Sequence, residues 1–244
     1  MIEIHVSVAL NLLDGFTGRP LKPAQVRVFL DGEPVRAVYK EGGWFVLVNL
    51  APGMHALRVE GEGFQPEERT VQGGAACEEI VLRLLPAPSY RFGRRVTTLT
   101  VRLPEGQTEA RVYALGGERY ALRLAQDDAA PGDRKLRLFS SEKAAFLPVP
   151  GLFYLEDGDQ GELVSLRAAE GMNFSLETPL QRAHRRGCLL RPASACRANA
   201  AGEIFLAVEE GKAISLLIEK DGALHRKEVP LHPQEHNEYS LTFD

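Results

Sequence analysis

The feature of this sequence that most constrains its fold is a period-two alternation of apolar and polar residues in short runs. Turn-forming pairs separate these runs at intervals of about ten residues, the spacing typical of antiparallel β-sandwiches. No stretch carries the pattern of a three-turn helix; the best candidate, residues 179–186, is short and ends at Gly187. We therefore predict an all-β chain of two to three small antiparallel β-sandwich modules (Ig/prealbumin-like) in tandem.

Proline positions and strand patterns divide the chain further. Residues 85–89 contain two prolines among small residues and predict a short, stiff connector. This predicts a first sandwich at residues 1–85, a central strand-rich domain at 89–178 and a C-terminal β module at 179–244. Packing of the C-terminal module against the central domain is left open. A partial repeat, residues 42–64 against 201–224, aligns Gly43, Gly53 and Gly63 with Gly202, Gly211 and Gly222.

The bulk composition excludes several classes of protein. A hydrophobic content of 44% and a charged content of 25% are those of a folded globular chain rather than a disordered one. The net charge of −4 argues against nucleic acid as a partner. No apolar run approaches the roughly 18 residues that a membrane-spanning helix needs, so we expect no membrane insertion. The first residues alternate like a strand, which predicts cytoplasmic synthesis without a signal peptide.

Residues 13–64 carry a recognisable pattern. It consists of Asp14, the stretch Thr17-Gly18-Arg19-Pro20-Leu21, a Gly43-to-Leu47 strand, Asn49-Leu50-Ala51-Pro52-Gly53 and the closing Glu62-Gly63-Phe64. This pattern resembles the carboxypeptidase regulatory-like domain, a transthyretin-like (prealbumin-like) β-sandwich, and residues 202–224 resemble its second half. The resemblance implies the fold and a non-catalytic role as a spacer, a folding aid or a surface-contacting module.

One catalytic branch of that fold can be tested on the sequence. Hydroxyisourate hydrolases resemble transthyretin and end in a Tyr-Arg-Gly-Ser signature that completes a site with His and Arg. This chain has Tyr239 followed directly by Ser240, without the Arg-Gly pair. The resemblance therefore does not extend to that activity.

Two segments are candidates for metal binding. Residues 232–236 fit His-x-x-Glu-His, in which two histidines on one helical turn hold zinc and the glutamate polarises a water. Pro230 and Pro233 oppose such a helix, which favours a polar loop before a last strand at 239–243. In residues 156–162, Asp157 and Asp159 have the alternate spacing of calcium ligands, and Glu162 adds a third oxygen ligand. An acidic hairpin turn between strands at 152–155 and 163–166 is the preferred interpretation of this segment, so we expect no metal and no cofactor.

Residues 181–197 form the one strongly basic stretch of an acidic chain. Its arginines are Arg182, Arg185, Arg186, Arg191 and Arg197, and it contains no acidic residue. Because guanidinium forks pair with carboxylate and phosphate, the stretch is a candidate contact site for an acidic protein or glycan. A solvated loop between domains is the alternative. The stretch also brings His184 near Cys188, an arrangement that could activate the thiol.

The cysteines and the single tryptophan are candidates for disulfide formation and for ligand stacking. The three cysteines, Cys77, Cys188 and Cys196, are too few for a disulfide scaffold, and free thiols are expected, with a Cys188–Cys196 bridge as the alternative. Trp44, the only tryptophan, could stack on a sugar ring or pack in the sandwich.

Three functional hypotheses follow from the sequence. The first is a structural or interaction protein with protein partners, and one form of it is an accessory component of a phage tail-like particle acting outside the cell. The second is a carbohydrate-binding or cell-surface module that uses Trp44. The third is a metal-dependent hydrolase that uses His232, Glu235 and His236.

Overall fold

The computed structural model describes residues 4–74, 76–105, 110–117, 121–139, 150–158, 161–208, 211–220 and 222–242. These residues are almost entirely in strands, with one short 3₁₀ helix at Pro23–Gln25. The predicted all-β fold is confirmed. The chain divides into two compact units, Met1–Arg95 and Val96–Asp244. Whether the second unit divides at the predicted boundary near residue 179 stays a prediction. The described residues include no helix long and apolar enough to cross a membrane.

The first unit is a β-sandwich. Its described strands are β1 (Val6–Asp14), β2 (Val26–Leu30), β3 (Glu33–Val35), β4 (Val38–Lys40), β5 (Trp44–Val48), β6 (Gly53–Gly61), β7 (Glu67–Gly73) and β8 (Glu78–Leu84). They form one sheet of order β4-β5-β1-β8 and a second of order β3-β2-β6-β7. Neighbouring strands are antiparallel except β1 and β8, which are parallel.

The apolar residues of the period-two pattern form the core of this sandwich. In β1, Val8, Leu10 and Leu12 are fully buried, and they pack with Leu57 and Val59 of β6 in one apolar cluster. Alternate residues of each strand point to opposite faces, so the residues between them face outward. This alternation fixes which face of each sheet is buried, because a shift of one residue would expose the whole apolar set.

The second unit contains the remaining strands. They are β9 (Thr97–Arg102), β10 (Arg111–Leu115), β11 (Leu122–Leu124), β12 (Asp128–Ala129), β13 (Lys135–Phe139), β14 (Gly151–Glu156), β15 (Glu162–Glu170), β16 (Asn173–Leu176), β17 (His184–Arg185), β18 (Leu189–Cys196), β19 (Glu203–Val208), β20 (Ala213–Lys220), β21 (Ala223–Pro230) and β22 (His236–Ser240).

Part of the second unit is a further sandwich. A described sheet of order β19-β9-β22 and the strands β18-β10-β20-β21 enclose one apolar core that includes Leu99, Ile204 and Leu216. Its first and last strands, β9 and β22, run parallel side by side.

The strands between β10 and β18 build a separate, closed structure. Among the described residues, each strand pairs with the next in the spatial order β11-β13-β16-β15-β14-β18, and β18 also pairs with β11. The ring is therefore a small antiparallel barrel, which leaves no free sheet edge. Leu124, Leu138, Phe153 and Leu155 belong to its apolar core. Strand β18 is shared, because Leu189 to Pro192 pair with β14 and Ala193 to Cys196 pair with β10.

The two sandwiches have the same strand order and the same pairing directions. Strands β9, β10, β18, β19, β20, β21 and β22 correspond to β1, β2, β3, β5, β6, β7 and β8. Two differences separate them in the described residues. No strand corresponds to β4, and the barrel takes the place of the two-residue turn at Asp31 and Gly32 that joins β2 to β3.

The glycines of the sequence repeat occupy equivalent turns. Gly43 and Gly202 precede β5 and β19 with φ of 81° and 72°, and Gly53 and Gly211 have φ of 135° and 137°. Positive φ favours glycine because it has no Cβ to clash with the backbone. The strands and turns of the repeat are thus at matching places in both sandwiches, but β5 and β6, like β19 and β20, lie in opposite sheets and do not form the hairpin that the pattern predicts.

Two local predictions need correction. The last described strand is His236–Ser240 rather than 239–243, and residue 243 lies outside the described residues. The short helix considered at 179–186 is absent; its residues form turns and the two-residue strand β17, which pairs with β12. Backbone pairing with β12 therefore replaces the local helical bonds.

Candidate interaction site

Three of the arginines from the basic stretch lie together on one exposed loop. Residues 181–187, here called the arginine loop, connect the end of β16 to β18 and contain Arg182, Arg185 and Arg186, all exposed. Arg186 pairs with Asp127 at 2.9 Å, but both side chains are mostly exposed, at 66% and 83%. An ion pair this exposed contributes little to stability, so it leaves the guanidinium accessible to other acids.

A buried carboxylate holds the arginine loop from inside. Glu162, at the start of β15, accepts the backbone N–H groups of Gln181 at 2.9 Å and Arg182 at 3.0 Å. It also contacts Nε2 of His184 at 2.7 Å. The backbone N–H of Gly187 donates to the Leu124 carbonyl at 2.8 Å, which fixes the other end of the loop. The arginines are thus presented from a rigid backbone.

His184 lies between two carboxylates. Its side chain is 0% exposed, and Nδ1 is 3.3 Å from Asp157 while Nε2 contacts Glu162. A carboxylate only accepts hydrogen bonds, so His184 is the donor where its ring bonds to Glu162. His184 therefore ties the base of the arginine loop to the start of β15.

The hypothesis that His184 activates Cys188 is overturned. Both ring nitrogens of His184 are engaged by carboxylates, so neither is left to accept the thiol proton. Burial raises the pKa of the Cys188 thiol, and the neighbouring Asp157 carboxylate raises it further. A raised pKa means little thiolate near neutral pH, so Cys188 is a poor nucleophile. Cys77, Cys188 and Cys196 are all free thiols, and burial raises the pKa of Cys196 to about 12.

The remaining two arginines of the basic stretch lie elsewhere. Arg191 is buried at 5% exposure; it donates from Nε and Nη2 to the Gly116 carbonyl and from Nη1 to Ser215. Its guanidinium thus joins strands of the second unit and is not available at the surface. Arg197 is exposed but follows the far end of β18, beside the sandwich strands rather than the barrel. The exposed arginines that the structure brings together are therefore the three of the loop.

The acidic segment 156–162 contributes to the loop anchor instead of an open calcium loop. Asp157 contacts His184, and Glu162 is turned inward to backbone donors. Asp159 lies outside the described residues. In the part of the chain that the structure describes, no group of three His, Cys, Asp or Glu side chains is placed to hold a metal ion.

The His-x-x-Glu-His segment is a turn followed by a strand, not a helix. Asn237 closes the turn: its Oδ1 accepts the His232 N–H at 2.7 Å and its Nδ2 donates to the carbonyls of His232 and Glu235. His236 begins β22, with Nδ1 2.9 Å from the Thr98 hydroxyl. The helical spacing that would direct both histidines to one ion is therefore missing.

Trp44 lies on the outward face of the sheet β4-β5-β1-β8. Its neighbour Phe45 is buried in the core, so the indole points to the opposite side and is half-buried. The cross-strand neighbours of Trp44 are Asn11 and Lys40. The indole lies close to the backbone of Gly42. Part of the ring is covered, and part faces solvent.

Comparison with known proteins gives no family for this chain. No family model and no curated protein matches it. The resemblance to the carboxypeptidase regulatory-like domain therefore stays an interpretation, while the β-sandwich fold that it implied is present in the structure.

Solved structures with some likeness are all distant. A variant of BcpA, the major pilin subunit of Bacillus cereus, is 11% identical to this chain. The match covers 95% of this chain and 69% of the pilin, with a TM-score of 0.28. The Bacillus anthracis TIE protein is 8% identical, with 97% of this chain and 50% of that chain covered and a TM-score of 0.26. A family CBM26 module of Eubacterium rectale Amy13K, solved with maltoheptaose, is 12% identical, with 96% and 90% covered and a TM-score of 0.21. TM-scores this low support no inference about the role of this chain.

Proposed function

We propose that this protein is a non-enzymatic interaction protein and that its arginine loop contacts an acidic surface of a protein partner. The observation that carries the proposal is the anchoring of the loop by Glu162. Three exposed arginines stand on a backbone that a buried carboxylate fixes at two N–H groups and one imidazole. A fixed backbone reduces the entropy lost on binding, which is how preorganised sites gain affinity.

The charge on the loop suits recognition more than stability. Arg186 pairs with the mostly exposed Asp127, and exposed guanidinium groups at an interface steer acidic partners and raise the association rate. The sheets of the two sandwiches and the barrel serve in this proposal as the scaffold that positions the loop. The finer form of the proposal is an accessory role in a large assembly such as a phage tail-like particle, made in the cytoplasm and acting outside it.

The test is recovery of partners from the native organism with and without the loop charges. Arg185→Glu/Arg186→Glu reverses two exposed charges on the loop. Lys135→Glu/Arg137→Glu makes the same charge change on exposed positions of β13, in the same barrel. We expect mass spectrometry to find the same partners with the unaltered protein and the β13 control, and to find them lost with the loop variant. Equal recovery by all three proteins would refute the proposal.

The size of the complex tests the finer form. If the chain is part of a large particle, the protein in lysate elutes from gel filtration far ahead of a 26.9 kDa monomer. Elution as a monomer, with the loop-dependent partner still recovered in the pulldown, would remove the particle and leave the interaction role.

Glycan binding is the second candidate, and the placement of Trp44 favours it. A half-buried indole on an outward sheet face, flanked by Asn11 and Lys40, has the ring and polar groups that sugar sites combine. Because Trp44 is the only tryptophan, its fluorescence reports directly on a sugar stacked there. A glycan array without hits and unchanged fluorescence on titration with those glycans would exclude this site.

A further inference from the structure

A cluster of aromatic rings at one end of the first sandwich has no role in the proposal above. Tyr90 lies 4.7 Å from Phe92, 5.3 Å from Phe64 and 6.2 Å from Phe16, measured between ring centroids, and Phe16 lies 5.1 Å from Phe92. Phe64 is buried, whereas Phe16, Tyr90 and Phe92 are half-buried. An apolar cluster open on one side therefore lies at the surface of this unit.

Asp14 holds the cluster in place. Its Oδ1 accepts the backbone N–H groups of Phe16 at 2.8 Å and Thr17 at 3.0 Å, and its Oδ2 accepts the Tyr90 hydroxyl at 2.6 Å. Burial, together with the bond to Asp14, raises the pKa of Tyr90 to about 12, so the hydroxyl remains a donor at any physiological pH. Both carboxylate oxygens of Asp14 are thus occupied by hydrogen bonds within the cluster.

Four exposed arginines neighbour the cluster along the chain or through the backbone. Arg91 and Arg94 flank Phe92 in sequence, Arg95 follows, and the Arg19 carbonyl accepts the Asp14 N–H at 2.8 Å, which places Arg19 at the same end of the sandwich. All four are exposed, and none forms an ion pair with another described residue. The sequence between Glu79 and Glu105 contains no acidic residue at all. We call this surface, with its three half-buried rings, the arginine–aromatic patch.

The geometry of the rings distinguishes between anionic ligands. The planes of contacting rings meet at 54° to 80°, so the three half-buried rings do not form one flat platform. Nucleic-acid bases and pyranose rings bind aromatic groups by stacking on a flat face. Apolar peptide side chains need only an exposed hydrophobic surface, and carboxylates next to them pair with guanidinium groups.

We infer that the arginine–aromatic patch docks an acidic peptide segment of a partner protein, with an apolar side chain seated on the rings and flanking carboxylates paired with Arg91 and Arg94. This site is in the first unit and uses none of the residues of the arginine loop. It therefore adds a second, independent contact to the protein.

The test is fluorescence anisotropy of the full chain with labelled peptides. The probe is fluorescein-labelled Glu-Glu-Phe-Glu-Leu-Glu-Glu, compared with its all-lysine-for-glutamate counterpart and with heptaglutamate. We expect the probe to bind with a Kd of about 100 µM or tighter, the lysine counterpart not to bind, and heptaglutamate to bind about tenfold more weakly because it lacks the apolar side chain. No binding of the probe at about tenfold higher protein concentration would overturn the inference.

Variants locate the binding. Arg91→Glu/Arg94→Glu should weaken binding by about tenfold or more, whereas Arg36→Glu/Arg69→Glu, the same charge change at exposed positions of the same unit, should weaken it by less than about threefold. Phe92→Ala should remove the preference for the probe over heptaglutamate. Trp44 fluorescence during thermal unfolding shows whether each variant retains the folded first unit.

Further ligands decide the class of partner. Oligothymidylate or polygalacturonate binding more tightly than the peptide, with the same dependence on Arg91 and Arg94, would replace the peptide by a nucleic acid or an acidic glycan and overturn the inference. Probe binding that survives Arg91→Glu/Arg94→Glu but is lost in Arg185→Glu/Arg186→Glu would assign the peptide to the arginine loop instead, which also overturns it.

Discussion

Removal of the Glu162 side chain is the perturbation that most directly tests how the arginine loop is held. Glu162→Ala deletes three hydrogen bonds, two from backbone N–H groups and one from a ring with no exposure to solvent. Each donor left without its acceptor costs about 1–3 kcal/mol, and although Asp157 still contacts His184, the loss of three bonds should cost about 3–5 kcal/mol in total. For a unit of this size, about 2–4 °C of melting temperature accompanies each kcal/mol. We therefore expect the second unit to melt about 6–20 °C lower.

Calorimetry and fluorescence together separate the two units. Because Trp44 is in the first unit, the fluorescence transition should be unchanged while the calorimetric transition of the second unit moves down. Glu162→Gln keeps the shape but places an amide donor against N–H donors, and it should cost about 1–3 kcal/mol.

Glu170→Ala is the matched control, since Glu170 is an exposed carboxylate at the other end of β15. It should change stability by no more than about 0.5 kcal/mol. If Glu162→Ala were no more destabilising than Glu170→Ala, the anchor described for the loop would be wrong, and with it the argument that the arginines are preorganised.

The other predictions concern pH and packing. The hydrogen bond that His55 donates to Asp31 raises the pKa of His55, so the stability of this pair is present at low pH and is lost as pH rises through the raised pKa. The melting temperature followed by fluorescence should fall as pH rises above about 6.5, and Asp31→Asn should abolish that fall. Gly73→Ala would place a Cβ 2.1 Å from a backbone oxygen and should cost about 1–3 kcal/mol in chemical unfolding, whereas Gly93→Ala, with open space around it, should be neutral. Phe153→Ala in the barrel core, at 0% exposure, should cost about 3–5 kcal/mol in the calorimetric transition of the second unit.

The strands and their turns could be predicted from sequence because their determinants are local. Alternation sets the buried face of β1 and β5, and glycines with positive φ mark the turns at Gly43 and Gly202. The closure of the barrel could not be predicted, because it depends on β18 pairing with β11, far away in sequence. Periodicity identifies strands, but it does not identify their partners.

The candidate site was predicted only in part, for the same reason. Arg185 and Arg191 look alike in a basic stretch, yet one is exposed and the other is buried against Gly116 and Ser215 from distant strands. The role of Glu162 was missed, since the groups it joins are about 20 residues away and its sequence context resembles a calcium loop. Side chains that act through long-range contacts leave no short motif to read.

The insertion of the barrel between β10 and β18 has a consequence for the order of folding. The first sandwich is continuous in sequence, whereas the second brings β9 and β10 together with β18 to β22 only across the whole length of the barrel. Rates of folding fall as contacting residues become more distant along the chain, because the entropy cost of closing the loop comes before the contacts that offset it. If the barrel forms first, it holds its two ends together, so β10 and β18 are already close in space before they pair. The barrel would then act as an internal folding nucleus. Slowing its formation should slow the folding of the second sandwich and leave the folding rate of the first unchanged.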